Sequence, residues 1–332
     1  MIMTLFRNAA CAFAALLAGV LLGVVPADGA RAQGSDRTTR LVVGYAPGGG
    51  TDLVARLLAA RISEDTGHAM VVENRPGGSG VVAASQVARA APDGTTLMMG
   101  VVSLNAIQPH LAAMPYDPLT AFAPVTLTAS VPHIVVVHPS LPVKTLPELI
   151  AYLKANPDKG SFPSAGNGTT PHIAGEMFKH MAGVQMLHVP YKSSGQSIPD
   201  LVSGRLTVGF DTYPAAAPLV RAGQLRPIAV TSTTRLKEFP DLPTVAESGL
   251  PDYRFSTWYG IFAPAGTTEA VVSRVHADFA RAMKNPNVHA KLVEMGIDET
   301  ETRTPADFAR LVESDLARFA RIVKDANIRI ER

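Results

Sequence analysis

Residues 40–67 read RLVVGYAPGGGTDLVARLLAARISEDTG, and this stretch decides the fold. Residues 40–45 are an apolar run of strand length. Pro47-Gly48-Gly49-Gly50 is a turn. Beyond it Leu53, Val54, Leu57, Leu58 and Ile62 recur at helical spacing, and Gly67 is placed to close a helix over 51–66. The order strand, glycine turn, helix then repeats. Residues 70–73 read as a second strand, 74–78 as a turn, 79–90 as a helix and 95–101 as a third strand after the turn Pro92-Asp93-Gly94. Such alternation implies βαβ units and a parallel sheet.

A proline-rich passage, 109–132, interrupts the pattern, which restarts at 133–138 (HIVVVH). Thr145-Leu146-Pro147-Glu148 is a capping box with proline in the first turn, predicting a helix to about 154. A short strand, 161–164, leads into Gly166-Asn167-Gly168 and a helix from Thr170 or Pro171 to near Gly183. Strands at 187–190, 206–210 and 226–231 follow, with helices around 198–203 and up to Ala222. The remainder carries a strand near 255–262 and amphipathic helices over about 268–284 and 305–325. Two α/β sets joined by proline-rich crossings predict two lobes with a cleft between them. One comprises 33–130 plus 236–332 and the other 131–235. The pattern leaves strand order open.

Composition narrows the function. Hydrophobic residues are 47% and charged residues 17%, too apolar for a disordered chain. The 30 Lys+Arg nearly balance the 28 Asp+Glu, so nucleic acid is not an expected partner. Arg7 precedes an uncharged run, 9–25, which Pro26, Asp28 and Gly29 terminate, and Ala30-Arg31-Ala32 offers small residues at both recognition positions. This is the pattern of an export signal cleaved after Ala32 rather than of a membrane anchor, and it predicts a secreted chain. The single cysteine, Cys11, lies inside that segment. The mature chain is therefore expected to use no disulfide, thiol nucleophile or thiolate metal site. Neither a metal nor a cofactor is expected.

The candidate site is built on the two glycine turns. In the first, Tyr45, Pro47, Gly48, Gly49, Gly50, Thr51 and Asp52 lie between strand and helix. Glycines let the backbone approach a ligand, and a helix start offers unpaired N–H groups and the positive end of its dipole to an anion. The contiguous glycines break the dinucleotide fingerprint, and no Gly-Lys-Ser/Thr follows for a P-loop. The same residues also read as an ordinary βα turn with Asp52 as a first-turn acid. In the second turn, Ser164, Gly166, Asn167, Gly168, Thr169, Thr170 and His172 repeat the arrangement. Neither turn contains a cation, so recognition is expected to rest on dipoles and neutral donors. Ser103 and Asn105 follow the third strand, Asp211 ends a buried one, and Tyr191 with Lys192 follows another. Lys192 reads as a solvated lysine, and Arg75 with 77–80 as a structural turn.

Taken in order, YAPGGGTDLVAR (45–56), ENRPGGSG (73–80), APDGTTL (91–97), SAGNGTTPHIAG (164–175), HVPYK (188–192), LRPIAVTSTTR (225–235), FPDLPTVAESG (239–249) and WYGIFAPAGT (258–267) resemble the Bug family, extracytoplasmic solute receptors of tripartite tricarboxylate transporters. The resemblance implies a two-lobed α/β periplasmic binding protein fold of type II that closes on a small carboxylate. It implies that the two glycine turns hold one carboxylate, partly through ordered water, and that Asp211 lies near the ligand's distal end. It implies integral membrane permease subunits as partners; the receptor itself is expected to be a monomer. Gly50-Thr51 stands where family members vary, which leaves side-group selectivity open. Two other readings compete. One is a receptor that presents its ligand to a membrane signalling protein. The other is a serine hydrolase using Ser164, His172 and Asp211, but the chain has neither a G-x-S-x-G elbow nor H-E-x-x-H spacing, so no enzyme is expected.

Overall fold

The computed structural model describes residues 38–297 and 303–329, and the expected export signal lies outside them. The first elements are β1 (Thr39–Val43), α1 (Gly50–Thr66), β2 (Met70–Asn74), α2 (Val81–Ala88), β3 (Thr96–Val101) and β4 (Phe122–Val137). Then come α3 (Leu146–Ala155), β5 (Ser161–Ser164), α4 (Thr170–Ala182), β6 (Leu187–Pro190), α5 (Ser194–Val202), β7 (Val208–Thr212), α6 (Tyr213–Arg221) and β8 (Arg226–Val230). The chain ends with β9 (Ser256–Pro264), α7 (Glu269–Lys284), α8 (Pro286–Glu294) and α9 (Pro305–Asp325). Local signals set several of these boundaries. Gly67 and Gly183 close α1 and α4 in the left-handed conformation, at φ 70° and 61°. Thr145 caps α3 by accepting from the Glu148 N–H.

Strand β4 joins two sheets. Its first part, to Pro132, pairs antiparallel with β9, completing the order β2-β1-β3-β9-β4, in which β1 pairs in parallel with β2 and β3. From His133 onward it lies between β7 and β8, antiparallel to both. The 109–132 passage, read from sequence as a crossing, thus supplies the larger part of the longest strand. Pro124 is tolerated because the register slips between Pro124 and Thr126. Strands β5 and β6 form a parallel pair beside β7.

Alternation along β4 buries both faces of the second sheet. Ile134 and Val136 join a cluster with Leu201, Tyr213, Ala217 and Val230, while Val135 and Val137 join the cluster holding Phe162, Phe178 and Phe210. One expected boundary moves. Leu236, Phe239 and Leu242 belong to the Tyr213–Val230 cluster, and the Val245 N–H donates to the Val230 carbonyl. Residues 236–245 therefore pack on the second lobe, and the return crossing lies near Phe255 rather than at 235. Two further differences are local: α8, which buries Val288 and Leu292, is not among the expected helices, and α5 starts earlier than expected, at Ser194.

The second lobe gives a test of its packing. A Cβ on Gly175, inside α4, would lie 2.2 Å from the ring of fully buried Phe162. Alanine is the better helix former by about 1 kcal/mol, yet overpacking costs about 1–3 kcal/mol. Gly175→Ala is expected to lower the urea midpoint. A raised midpoint would show that the ring gives way without strain.

Candidate functional site

A cavity of about 400 Å³ opens between the lobes. Its wall contains the starts of four helices. Gly49, Thr169, Ser193 and Thr212 are the N-caps of α1, α4, α5 and α6, and residues of all four first turns line the space. The ladder of α1 begins with Leu53 N–H donating to Gly49 O, and that of α4 with Ile173 N–H donating to Thr169 O. The N–H groups before them lie outside the helical ladder. Each helix start carries about half a positive charge.

The first glycine turn is placed by its acid. Asp52, nearly buried, accepts from the Gly48 N–H at 2.9 Å, Arg56 Nε at 2.9 Å and Asn74 Nδ2 at 2.8 Å. Burial pushes its carboxyl up, but these hydrogen bonds and the Arg56 charge outweigh that and hold it below the usual value. Asp52 therefore pins the turn and does not line the cavity, contrary to its reading as a ligand group. Tyr45, Pro47, Gly48, Gly49, Gly50 and Thr51 do line it. Gly50 is required by space: a Cβ there would lie 2.9 Å from the Tyr259 hydroxyl. Ser103 lines the wall, and its hydroxyl lies 2.8 Å from that of Tyr45, which donates to the Ser79 carbonyl. Burial lifts the Tyr45 phenol to about 12. Asn105, by contrast, is buried away from the cavity, and its carboxamide has no partner among the described residues.

The second turn divides in the same way. Thr169 and Thr170 line the cavity. Ser164, Gly166, Asn167, Gly168 and His172 build the turn from behind. Ser164 Oγ lies 2.6 Å from His188 Nε2 and donates to Gly166 O. The Gly168 N–H donates to His172 Nδ1 at 3.0 Å, and the His172 ring stacks on His188 at 4.0 Å. Hydroxyl and N–H groups expected to reach the ligand are thus committed inside the loop; Thr169 Oγ1 also donates to Gly166 O. A serine hydrolase relay is not formed, since Ser164 meets His188 rather than His172, and Asp211 accepts from Ser194. Tyr191 points elsewhere and donates to Asp200 at 2.6 Å.

The turn also crosses the cleft. Asn167 O accepts from Ser79 Oγ at 3.0 Å and from Gln108 Nε2 at 3.1 Å. A Cβ on Gly168, at φ 74°, would lie 2.5 Å from Gln108 Nε2 and 2.9 Å from Leu111. Ser79, read as part of a structural turn, therefore bridges the lobes.

The floor is set by strand ends. Asp211 Oδ1 accepts from the Thr212 N–H at 2.7 Å and Ser194 Oγ at 3.2 Å, and burial pushes its carboxyl up. Thr257 and Tyr259 line the floor from β9. Fully buried His133 fixes the polarity of Thr257. Its Nδ1 faces the Phe210 carbonyl, which only accepts, so the proton is on Nδ1. Nε2 then accepts from Thr257 Oγ1 at 2.7 Å, and that oxygen offers only lone pairs to the cavity. The same residue sits where the crossings meet: its backbone N–H donates to Thr231 Oγ1, and Thr231 in turn donates to Phe255 O. Lys192 is exposed and is the one cation on the cavity wall among the described residues. Sequence reading missed Ser193, Ser194, Gly195, Thr257 and Tyr259. The run Ser193-Ser194-Gly195 repeats the strand, hydroxyl and glycine, helix signal of the other turns.

A family model described as "Tripartite tricarboxylate transporter family receptor" matches residues 54–328. Among solved structures, the chain is similar to R. palustris Rpa4515 with adipate, at 38% identity and TM-score 0.84 over 88% of this chain and 98% of that one. It is similar to the periplasmic binding protein BugD, at 31% identity and TM-score 0.83 over 90% and 100%. It is also similar to MatC from Rhodopseudomonas palustris with bound malate, at 31% identity and TM-score 0.80 over 86% and 99%. The fold is that of the two-lobed periplasmic binding proteins.

Burial pulls His133 and His188 down to about 4, and burial with the neighbouring His188 charge pulls His172 to about 3. All lie below the unfolded value of roughly 6.5. As pH falls through that value, the unfolded chain takes up protons that the folded rings refuse. Stability is then lost progressively toward pH 4, by about 2 kcal/mol per ring between 6.5 and 5. Ring NMR signals of these three histidines are expected to stay neutral down to pH 5 while the melting temperature falls. Folded rings titrating near 6.5 would contradict the burial argument.

Proposed function

This chain belongs to the tripartite tricarboxylate transporter receptor family, and from that premise we propose that it is an exported, monomeric receptor that closes on one small carboxylate. It hands that ligand to the integral membrane subunits of a tripartite carrier. Residues 1–32 are its cleaved export signal, and the mature chain works in the periplasm. Its lobes are 38–130 with 256–329, and 131–255, hinged where β4 and the Phe255–Thr257 segment pass between them.

The observation that carries this reading is the convergence of four helix starts on a 400 Å³ cavity whose wall bears one exposed lysine. An anion in that space replaces water with oriented N–H groups. The N–H groups of Gly50, Thr51 and Thr170, with the Thr170 hydroxyl, hold one carboxylate. The floor, formed by Asp211 and the lone pairs of Thr257, meets hydrogen-bond donors on the other end of the ligand. Similar proteins solved with adipate and malate support a dicarboxylate of four to six carbons. The Asn167 bonds to Ser79 and Gln108 hold the closed form.

A thermal-shift panel of adipate, malate, succinate, citrate and aspartate tests the ligand class. At 100 times its dissociation constant a ligand adds about 2.7 kcal/mol, several degrees for a chain of this size. Shifts from neutral sugars of similar size and none from carboxylates would overturn the reading. Gly168→Val is expected to weaken the best carboxylate at least tenfold, because its side chain strikes Gln108 and Leu111 and holds the lobes apart. Unchanged affinity in that variant would show that the cross-cleft contact is not needed.

A further inference from the structure

A second cavity, of about 850 Å³, lies on the opposite side of the hinge strand from the ligand cleft. Alternation along β9 separates the two: Thr257 and Tyr259 line the cleft, while Ser256 and Trp258 line this groove. Its walls come from the hinge segment Asp252–Ser256, from Thr231 and Thr233 beyond β8, and from α9. Four arginines face it: Arg254, Arg303, Arg318 and Arg321.

Their pairing sets them apart. Elsewhere Arg56, Arg205, Arg221 and Arg235 each hold a carboxylate at 3.0 Å or less. In the groove, no carboxylate of the described residues pairs with Arg254, Arg303 or Arg321. Two acids share the groove. Asp315 is nearly buried, accepts from the Trp258 indole N–H at 2.7 Å and lies 3.7 Å from Arg318. It is thereby spent on the wall, and Asp252, exposed at the rim, pairs with none of the arginines. Arg318 is fixed in place: it donates to the Arg254 carbonyl at 2.6 Å and lies over the Phe319 ring. The result is a groove in which three guanidinium groups have no carboxylate of the described residues within ion-pair distance and a fourth is already oriented; Asp307 and Asp315 act on Arg303 only at longer range. Guanidinium forks suit carboxylates and other planar oxyanions.

We propose that this groove behind the hinge docks an acidic protein segment, whose successive carboxylates pair with Arg254, Arg303 and Arg321. A single small anion would leave most of the 850 Å³ and two of the three guanidinium groups unused, so a chain of carboxylates is the better fit. The occupant is distinct from the cleft ligand, which meets helix starts rather than arginines.

The test is fluorescence anisotropy of labelled hexaglutamate with the mature chain at low salt. Saturable binding that weakens as salt rises is expected. Arg303→Gln with Arg321→Gln should reduce it at least tenfold, and Arg254→Gln alone should reduce it severalfold. All three side chains are exposed, so the melting temperature should hold. Absence of saturable binding, or equal binding by the arginine variants, overturns the proposal. Capture of phosphatidylserine vesicles without hexaglutamate binding also overturns it, in favour of a lipid surface. Competition by free glutamate as effective per molecule as hexaglutamate would reduce the site to a single-anion pocket and likewise overturn the docking claim.

Discussion

The site depends on one constraint of parallel α/β topology: a helix that follows a strand begins at that strand's carboxyl end. Strands β1, β5, β6 and β7 are each followed by a helix, α1, α4, α5 and α6, and all four starts line the cleft. Because β4 runs through both sheets, the carboxyl edges of the two lobes face one another. The positive ends of four helices are thus brought to one space by chain direction alone. No side-chain cation has to be buried there, and none carries the desolvation cost that a buried guanidinium would impose.

What surrounds the helix starts makes the arrangement rigid. Asp52 fixes the first turn through three hydrogen bonds, and His172 fixes the second by accepting the Gly168 N–H. These groups are chemically suited to ligands but work one layer further out, where they set loop geometry. At the floor, the His133 backbone joins the two crossings and its ring orients Thr257, so crossing and floor share one buried residue. A neutral imidazole is needed for that role, and full burial keeps it neutral.

Much of this was legible in the sequence. The turns at Pro47–Gly50 and Gly166–Gly168 stood out because glycine and hydroxyl residues between an apolar run and a helical period have few other uses. Residue type alone does not say which way a side chain points, and so Ser164, His172 and Tyr191 were read as ligand groups although they turn into the loop or away from the cleft. Pro124 and Pro132 mask the larger part of β4, because a proline within a strand reads as a break unless the bulge that accommodates it is known. Thr257 and Tyr259 carried only a period-2 pattern, which identifies a face but not what the face meets. The Asn167 bonds to Ser79 and Gln108 join residues far apart in sequence and leave no local trace.

The central claim is that helix starts, and not a side-chain cation, hold the ligand's carboxylate. Calorimetric titration of the carboxylate that gives the largest thermal shift into the wild-type chain and into Lys192→Met tests it most directly, because Lys192 is the one cation on the cavity wall among the described residues. The account predicts affinities within about fivefold of each other, since an exposed lysine contributes at most about 1 kcal/mol. A loss of a hundredfold or more would contradict it and make the Lys192 ion pair the anchor of the site.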